Sequence, residues 1–218
     1  MTFWQITAEL FSGFAYTLLI FGITLAAAIP IGLLVAFGSM SRFKPLSYPI
    51  KGFVWVIRGT PLMLQIIIFA LGPGLWFDMP IRSMEGKLLM VCLAFGINYA
   101  CYFSEIFRGG IESISKGQHE AGQVLGMTKW QVFSRVVLLQ VVKRVIPPMS
   151  NEIITLVKDT ALASVVIHID LFTVAKQIVN KEVIIWPLFY AGVFYLLFVG
   201  ILTIAFGKLE KKLDYFKA

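Results

Sequence analysis

The polar residues that stand inside otherwise apolar stretches of this chain fall at spacings that give them a common direction. Asn98, Tyr102 and Glu105 lie at i, i+4 and i+7 within the run 88–107, so a helix there presents all three on one face. An amide and a carboxylate are costly against lipid, so that face should look into a helix bundle or a wet cavity. Lys158 and Asp159 separate two short apolar runs, one ending near Val157 and one spanning 160–169. Interrupted segments of this kind line sites, because loosened backbone is tolerated only where protein or water satisfies it. Structural alternatives stay open for both groups. Glu105 precedes Arg108 by three residues and can pair with it, and Lys158 can neutralise Asp159 to hold a gate shut. His119 and His168 share no ligand spacing with the carboxylates, so no metal site is expected and a membrane-embedded enzyme is disfavoured.

The elements that must hold these residues follow from composition. The chain has 218 residues, of which 58% are hydrophobic and only 14% charged. Soluble domains carry about 25% charged residues, so this is an all-α integral membrane protein with one bundled domain, 1–218. The net charge of +7 does not point to nucleic acid, because no basic segment is interleaved with exposed aromatics. Cys92 and Cys101 lie nine residues apart in one helix, on opposite faces and roughly 13 Å apart along the axis. A disulfide needs α-carbons within about 7 Å, so they should be packing residues. No positive charge precedes the first apolar run, so that run is read as a retained span and not a cleaved signal peptide.

In chain order, residues 3–11 suggest a short interfacial helix with Trp4 at headgroup depth, and spans are expected at about 10–38, 59–77, 88–107, 132–157 and 184–206. Gly22, Ala26, Pro30 and Gly32 should let the first span pack closely and bend. Arg42, Lys44, Lys51 and Arg58 form a basic loop without an acid. After it, Thr60 can cap the second span, Pro61 suits its first turn, and Arg58 can snorkel to the headgroups. Residues 108–144 form a second basic segment, with six basic and two acidic residues, and within its loop at about 112–130 a short amphipathic surface helix is closed by Gly126. Residues 170–183 read as an amphipathic helix on the opposite surface, and Lys208, Lys211, Lys212 and Lys217 end the chain. Basic segments in alternate loops place the N-terminus outside and the C-terminus in the cytoplasm. Pro147-Pro148 is where the fourth span should break.

Four segments in order carry a resemblance to a known family. They are Arg58-Gly59-Thr60-Pro61-Leu62, then Tyr102-x-x-Glu105-x-x-Arg108-Gly109-Gly110-Ile111, then Glu120-Ala121-Gly122 with Gly126, and Lys158-Asp159-Thr160-Ala161-Leu162. Together they resemble the polar amino-acid permeases of bacterial ABC importers, with the five-span type I fold and a cytoplasmic coupling helix. Gly122 stands where that family usually has Ala, Leu139 where it usually has Pro, and Cys101 in a usual Ala position. The resemblance implies a permease subunit in the bacterial plasma (inner) membrane, pairing with an identical or paralogous second permease. It implies an ATP-binding cassette ATPase gripping Gln118, Glu120, Ala121, Gly122 and Gly126, an external substrate-binding protein, and a small polar amino acid as cargo. Asn98, Tyr102, Glu105, Lys158 and Asp159 are the implied substrate contacts, with Lys158 suited to the carboxylate and Asp159 or Glu105 to the ammonium. The chain holds no G-x-x-x-x-G-K-[ST] loop, so no cofactor is expected in it, and ATP and magnesium would belong to the partner ATPase. A stand-alone secondary carrier or channel is the alternative; it leaves the basic segment at 108–144 without a task.

Overall fold

Helix α1 (Phe3–Ser39) runs 37 residues without interruption, roughly 55 Å and well beyond a ~30 Å hydrocarbon core. Thr2 starts it with a capping box to Gln5, and the expected separate helix over residues 3–11 is simply its first turns. The buried positions of α1, from Ile6 through Thr17 and Thr24 to Ser39, recur every three or four residues and form a single stripe. That stripe packs on α4 (Met84–Glu112), the central helix of the bundle. Small residues set the approach, since lipid leaves packing rather than hydrophobicity to drive association. A Cβ on Gly32 would stand 2.9 Å from the Ala100 carbonyl oxygen, whereas Gly22 has open space around it. Cys92 and Cys101 are both buried and unpaired, as packing residues.

The computed structural model describes residues 1–213, so Lys217 of the basic tail lies outside the described residues. Between α1 and α4 the chain forms α2 (Lys44–Gly59) and α3 (Leu62–Phe77), which meet at 105°. Residues 44–58, expected as loop, are therefore helical; the amphipathic pattern of the segment was masked by its basic residues. After α4 come the short surface helix α5 (Lys116–Val124) and α6 (Lys129–Val132), then a π-helical turn at Phe133–Val137. Helix α7 (Leu138–Asp159) follows and ends in a 3-10 turn over Thr160–Val165.

The expected break at Pro147-Pro148 is absent, and α7 carries both prolines without interruption. The irregularity sits earlier for a packing reason. Val132, Val137, Val141 and Val145 are all buried, at steps of five, four and four. A π turn inserts one residue, so Val132 and the later valines face the same core. Leu139 lies in regular helix just beyond it and is exposed.

Helix α8 (Leu171–Glu182) closes the face opposite α5, as the amphipathic pattern over 170–183 led one to expect. Buried Asp170 caps it: Oδ2 accepts from the Phe172 and Thr173 amides at 3.1 and 3.3 Å, and Oδ1 from the Thr173 hydroxyl at 2.6 Å. The Leu171 amide donates to Thr17 Oγ1 at 3.3 Å, tying α8 to α1. The Met1 ammonium, 2.6 Å from Glu182, holds that carboxyl below its usual range. Helix α9 (Trp186–Leu213) completes the bundle. Among the described residues α1, α4 and α9 are each long and apolar enough to cross a membrane, and the bent pair α2–α3 is a fourth candidate. Helix α7, which carries charges along its length, packs inside against α4 and α9.

Candidate functional site: a polar seam through the bundle

The seam begins where α2 turns into α3. Thr60 does not cap α3; its hydroxyl donates back to the Val56 and Ile57 carbonyls at 3.0 and 3.3 Å and finishes α2. Gln65, buried in the first turn of α3, supplies what the break leaves unsatisfied. Its Nε2 donates to the Ile57 carbonyl and Thr60 Oγ1, both at 2.8 Å, and lies 3.2 Å from the Thr60 carbonyl. Its Oε1 accepts from Asn98 Nδ2 at 3.0 Å. Asn98 is itself buried, so the amide expected at the face of the seam fastens α4 to the α2–α3 break.

Arg58 closes α2, and instead of snorkelling outward it turns into the seam. Its guanidinium stands 5.0 Å over the Tyr102 ring, and its Nη1 is 3.7 Å from Glu105 Oε2. Arg108 grips the same carboxylate with two donors, Nε at 3.0 Å and Nη2 at 2.6 Å, while its Nη1 reaches Glu112 at 2.6 Å. The Glu105–Arg108 pairing thus exists, and Glu105 also faces a second cation. On the other side, Tyr99 lies with its ring tilted at 37° to that of Tyr102, centroids 6.3 Å apart, and donates its hydroxyl to Asp159 Oδ2 at 2.7 Å.

Of the residues read from the sequence, Tyr102, Glu105 and Asp159 therefore come together through Arg58 and Tyr99. Lys158 does not join them: it is exposed and makes no hydrogen bond or ion pair among the described residues. Glu152, half-buried and seven residues before Asp159 on α7, shares that residue's helical face. In the sequence Gln65, Tyr99 and Glu152 carry no assignment, and Arg58 carries only that of a headgroup contact. Their signal was present for Glu152, a carboxylate in an apolar run, but the partners of the other three lie on different helices.

A second feature projects from the same end of α4. Helix α5 ends in a Schellman motif: the Met127 amide donates to the Gly122 carbonyl at 3.0 Å and the Gly126 amide to the Gln123 carbonyl at 2.9 Å. Gly126 takes φ +71°, the left-handed end its position requires. Gly122 is buried, and a Cβ there would run into Val132 Cγ2 on α6. The glycine is what lets α5 lie against α6. Gln118 accepts from Gln140 Nε2 at 3.2 Å, linking α5 to α7. Glu120 and Ala121 are exposed, and so are Val124 at 88%, Leu125 at 78% and Trp130 at 71%.

Among the described residues the bundle is all-helical, with a charged internal seam and a surface helix closed by a glycine-dependent turn. Residues 28–215 match the family described as binding-protein-dependent transport system inner membrane component, and the chain belongs to that family. It is 34% identical to the L-cystine transport system permease protein TcyB of Bacillus subtilis (strain 168), covering 100% of this chain and 90% of the relative. It is 32% identical to the glutamine transport system permease protein GlnP of Escherichia coli (strain K12), over 96% and 95% of the two chains. Among solved structures, an amino acid ABC transporter with histidines superposes with a TM-score of 0.85 at 28% identity, covering 95% of each chain. An inward-facing MetNI methionine ABC transporter shares the fold, with a TM-score of 0.67 at 16% identity. The protein is thus a multi-pass inner-membrane permease subunit of the ABC importer type.

Proposed function

We propose that the chain forms the translocation path of an ATP-driven importer of polar amino acids, coupled through α5 to a separate ATPase subunit and fed by an external binding protein. In this reading α1, α3, α4, α7 and α9 cross the membrane. The face bearing α5 is cytoplasmic, so the N-terminus is outside and the C-terminus inside. A second permease, identical or paralogous, completes the path, and ATP and magnesium are handled by the partner ATPase.

The observation that carries the reading is the arrangement of α5: a short helix closed by a glycine-dependent turn, packed on α6 and offering exposed Glu120, Ala121, Val124 and Leu125. A stand-alone carrier would have no use for such a rigid exposed lever. The amino-acid cargo is supported by the relatives and by the chemistry of the seam. A zwitterion needs one compensating cation and one compensating anion to enter a low-dielectric bundle. Arg58 beside Tyr102 suits a carboxylate, and Asp159 with Glu152 suits an ammonium. Tyr102 and Glu105 flank that pair, Asn98 positions the Arg58 turn through Gln65, and Lys158 is proposed as the outer cation for the carboxylate.

The test is co-purification in detergent followed by uptake into proteoliposomes. An ATPase subunit retained by the wild-type chain, and ATP-dependent amino-acid uptake with a binding protein, are the expected results. Uptake by the permease alone, driven by an ion gradient, would establish the carrier instead.

A further inference from the structure

Helix α2 lies at 105° to α3, so when α3 crosses the bilayer α2 runs close to the membrane plane. Its residues sort into stripes around the axis at 100° per residue. Ser47 and Val54 are buried against the bundle. Leu46, Phe53 and Val56 are exposed along one side. Lys44 and Lys51, one heptad apart, lie on the opposite side with Arg58 continuing their line, and Arg42 precedes the helix. Tyr48 and Trp55 border the cations, Trp55 is 77% exposed, and Lys44 Nζ stands 5.3 Å over the Tyr48 ring. No acidic residue occurs from Arg42 to Arg58.

We propose that α2 is an interfacial anchor whose exposed cations Arg42, Lys44 and Lys51 take the phosphate headgroups of anionic lipids, while Leu46, Phe53 and Val56 enter the acyl boundary. An in-plane helix with an apolar stripe opposite a basic one, edged by tyrosine and tryptophan, fits a charged bilayer surface. A protein partner fits it less well. An apolar protein interface would leave the cations unpaired, and a charged one would leave the apolar stripe in water. Lipid satisfies both stripes together. The proposal is independent of which solute is carried, and it uses residues other than those of α5. Because Arg58 ends the same helix, the anchor also fixes the depth at which that guanidinium enters the seam.

The test uses the full chain in nanodiscs of phosphatidylcholine containing a minority of phosphatidylglycerol. Spin-labelled versions of the two lipids report relative association from their immobilised fractions. The wild-type chain should prefer phosphatidylglycerol, and raised salt should shrink the preference. The triple variant Arg42→Gln/Lys44→Gln/Lys51→Gln should lower it by up to about fivefold for each cation removed. The exposed α9 variant Lys208→Gln/Lys211→Gln/Lys212→Gln should leave most of it intact. An unchanged preference in the α2 variant, or an equal loss in the α9 variant, overturns the proposal. So does loss of ATPase co-purification by the α2 variant at unchanged lipid preference, which would make this face a protein interface.

Discussion

At the scale of single residues, two glycines carry the surface helix for different reasons. Gly126 is fixed by its φ of +71°, which a β-branched side chain resists at a cost of about 1–3 kcal/mol. Gly126→Val should therefore leave the protein in the membrane while abolishing most ATP-driven uptake; unchanged uptake would remove α5 from the coupling path. Gly122 is fixed by space, since its missing Cβ is where Val132 sits. Gly122→Ala should weaken uptake by pushing α5 off α6, and Val132→Ala in the same chain should restore it. A double variant no better than Gly122→Ala would mean that the glycine is needed for some purpose other than room.

At the scale of elements, the junction of α2, α3 and α4 depends on one side chain. Gln65 satisfies the acceptors at the end of α2 and receives the Asn98 amide, so removing it strands polar groups on three helices. Gln65→Leu should lower thermal stability in detergent by about 1–2 kcal/mol. Adding Asn98→Leu should recover part of the loss, because a pair replaced on both sides leaves fewer orphans. A double variant whose loss equals the sum of the two single losses would show that the two amides serve separate partners. At the opposite face, Asp170→Ala should cost about 0.5–2 kcal/mol by uncapping α8. Thermal denaturation that is the same in that variant and the parent would show that packing on α1 and α9 holds α8 without the cap.

At the scale of the whole molecule, the seam joins α2, α4 and α7 through Arg58, Tyr102, Tyr99 and Asp159, and a substrate role for it predicts a particular kinetic pattern. Asp159→Asn and Arg58→Gln should each raise the substrate concentration needed for half-maximal uptake, with high substrate rescuing much of the rate. Lys158→Ala separates two functions of its segment. If Lys158 meets the cargo, that variant should behave like Asp159→Asn. If it only holds a gate, basal ATPase activity of the assembled importer should rise with apparent affinity unchanged. Uptake by all three variants that matches the parent would place the cargo elsewhere in the bundle.

The sequence by itself determined the features that depend on local chemistry. Apolar length fixed the membrane class and the long helices α1, α4 and α9, because bilayer thickness imposes a minimum run. The Gly126 stop and the amphipathic α8 were legible because a left-handed end and a helical period are properties of a few neighbouring residues. The tertiary structure decided everything that depends on two helices meeting. The Pro147-Pro148 signal was real locally, yet the irregularity went to Phe133–Val137, where the buried valines needed rephasing. Arg58 reads as a residue free to snorkel, and it turned inward because Tyr102 and Glu105 wait on α4. Asn98 reads as a lone amide seeking a solute, and it found Gln65, 33 residues away in the chain. A buried polar group takes whichever partner folding brings within reach, and the spacing along one helix does not contain that information.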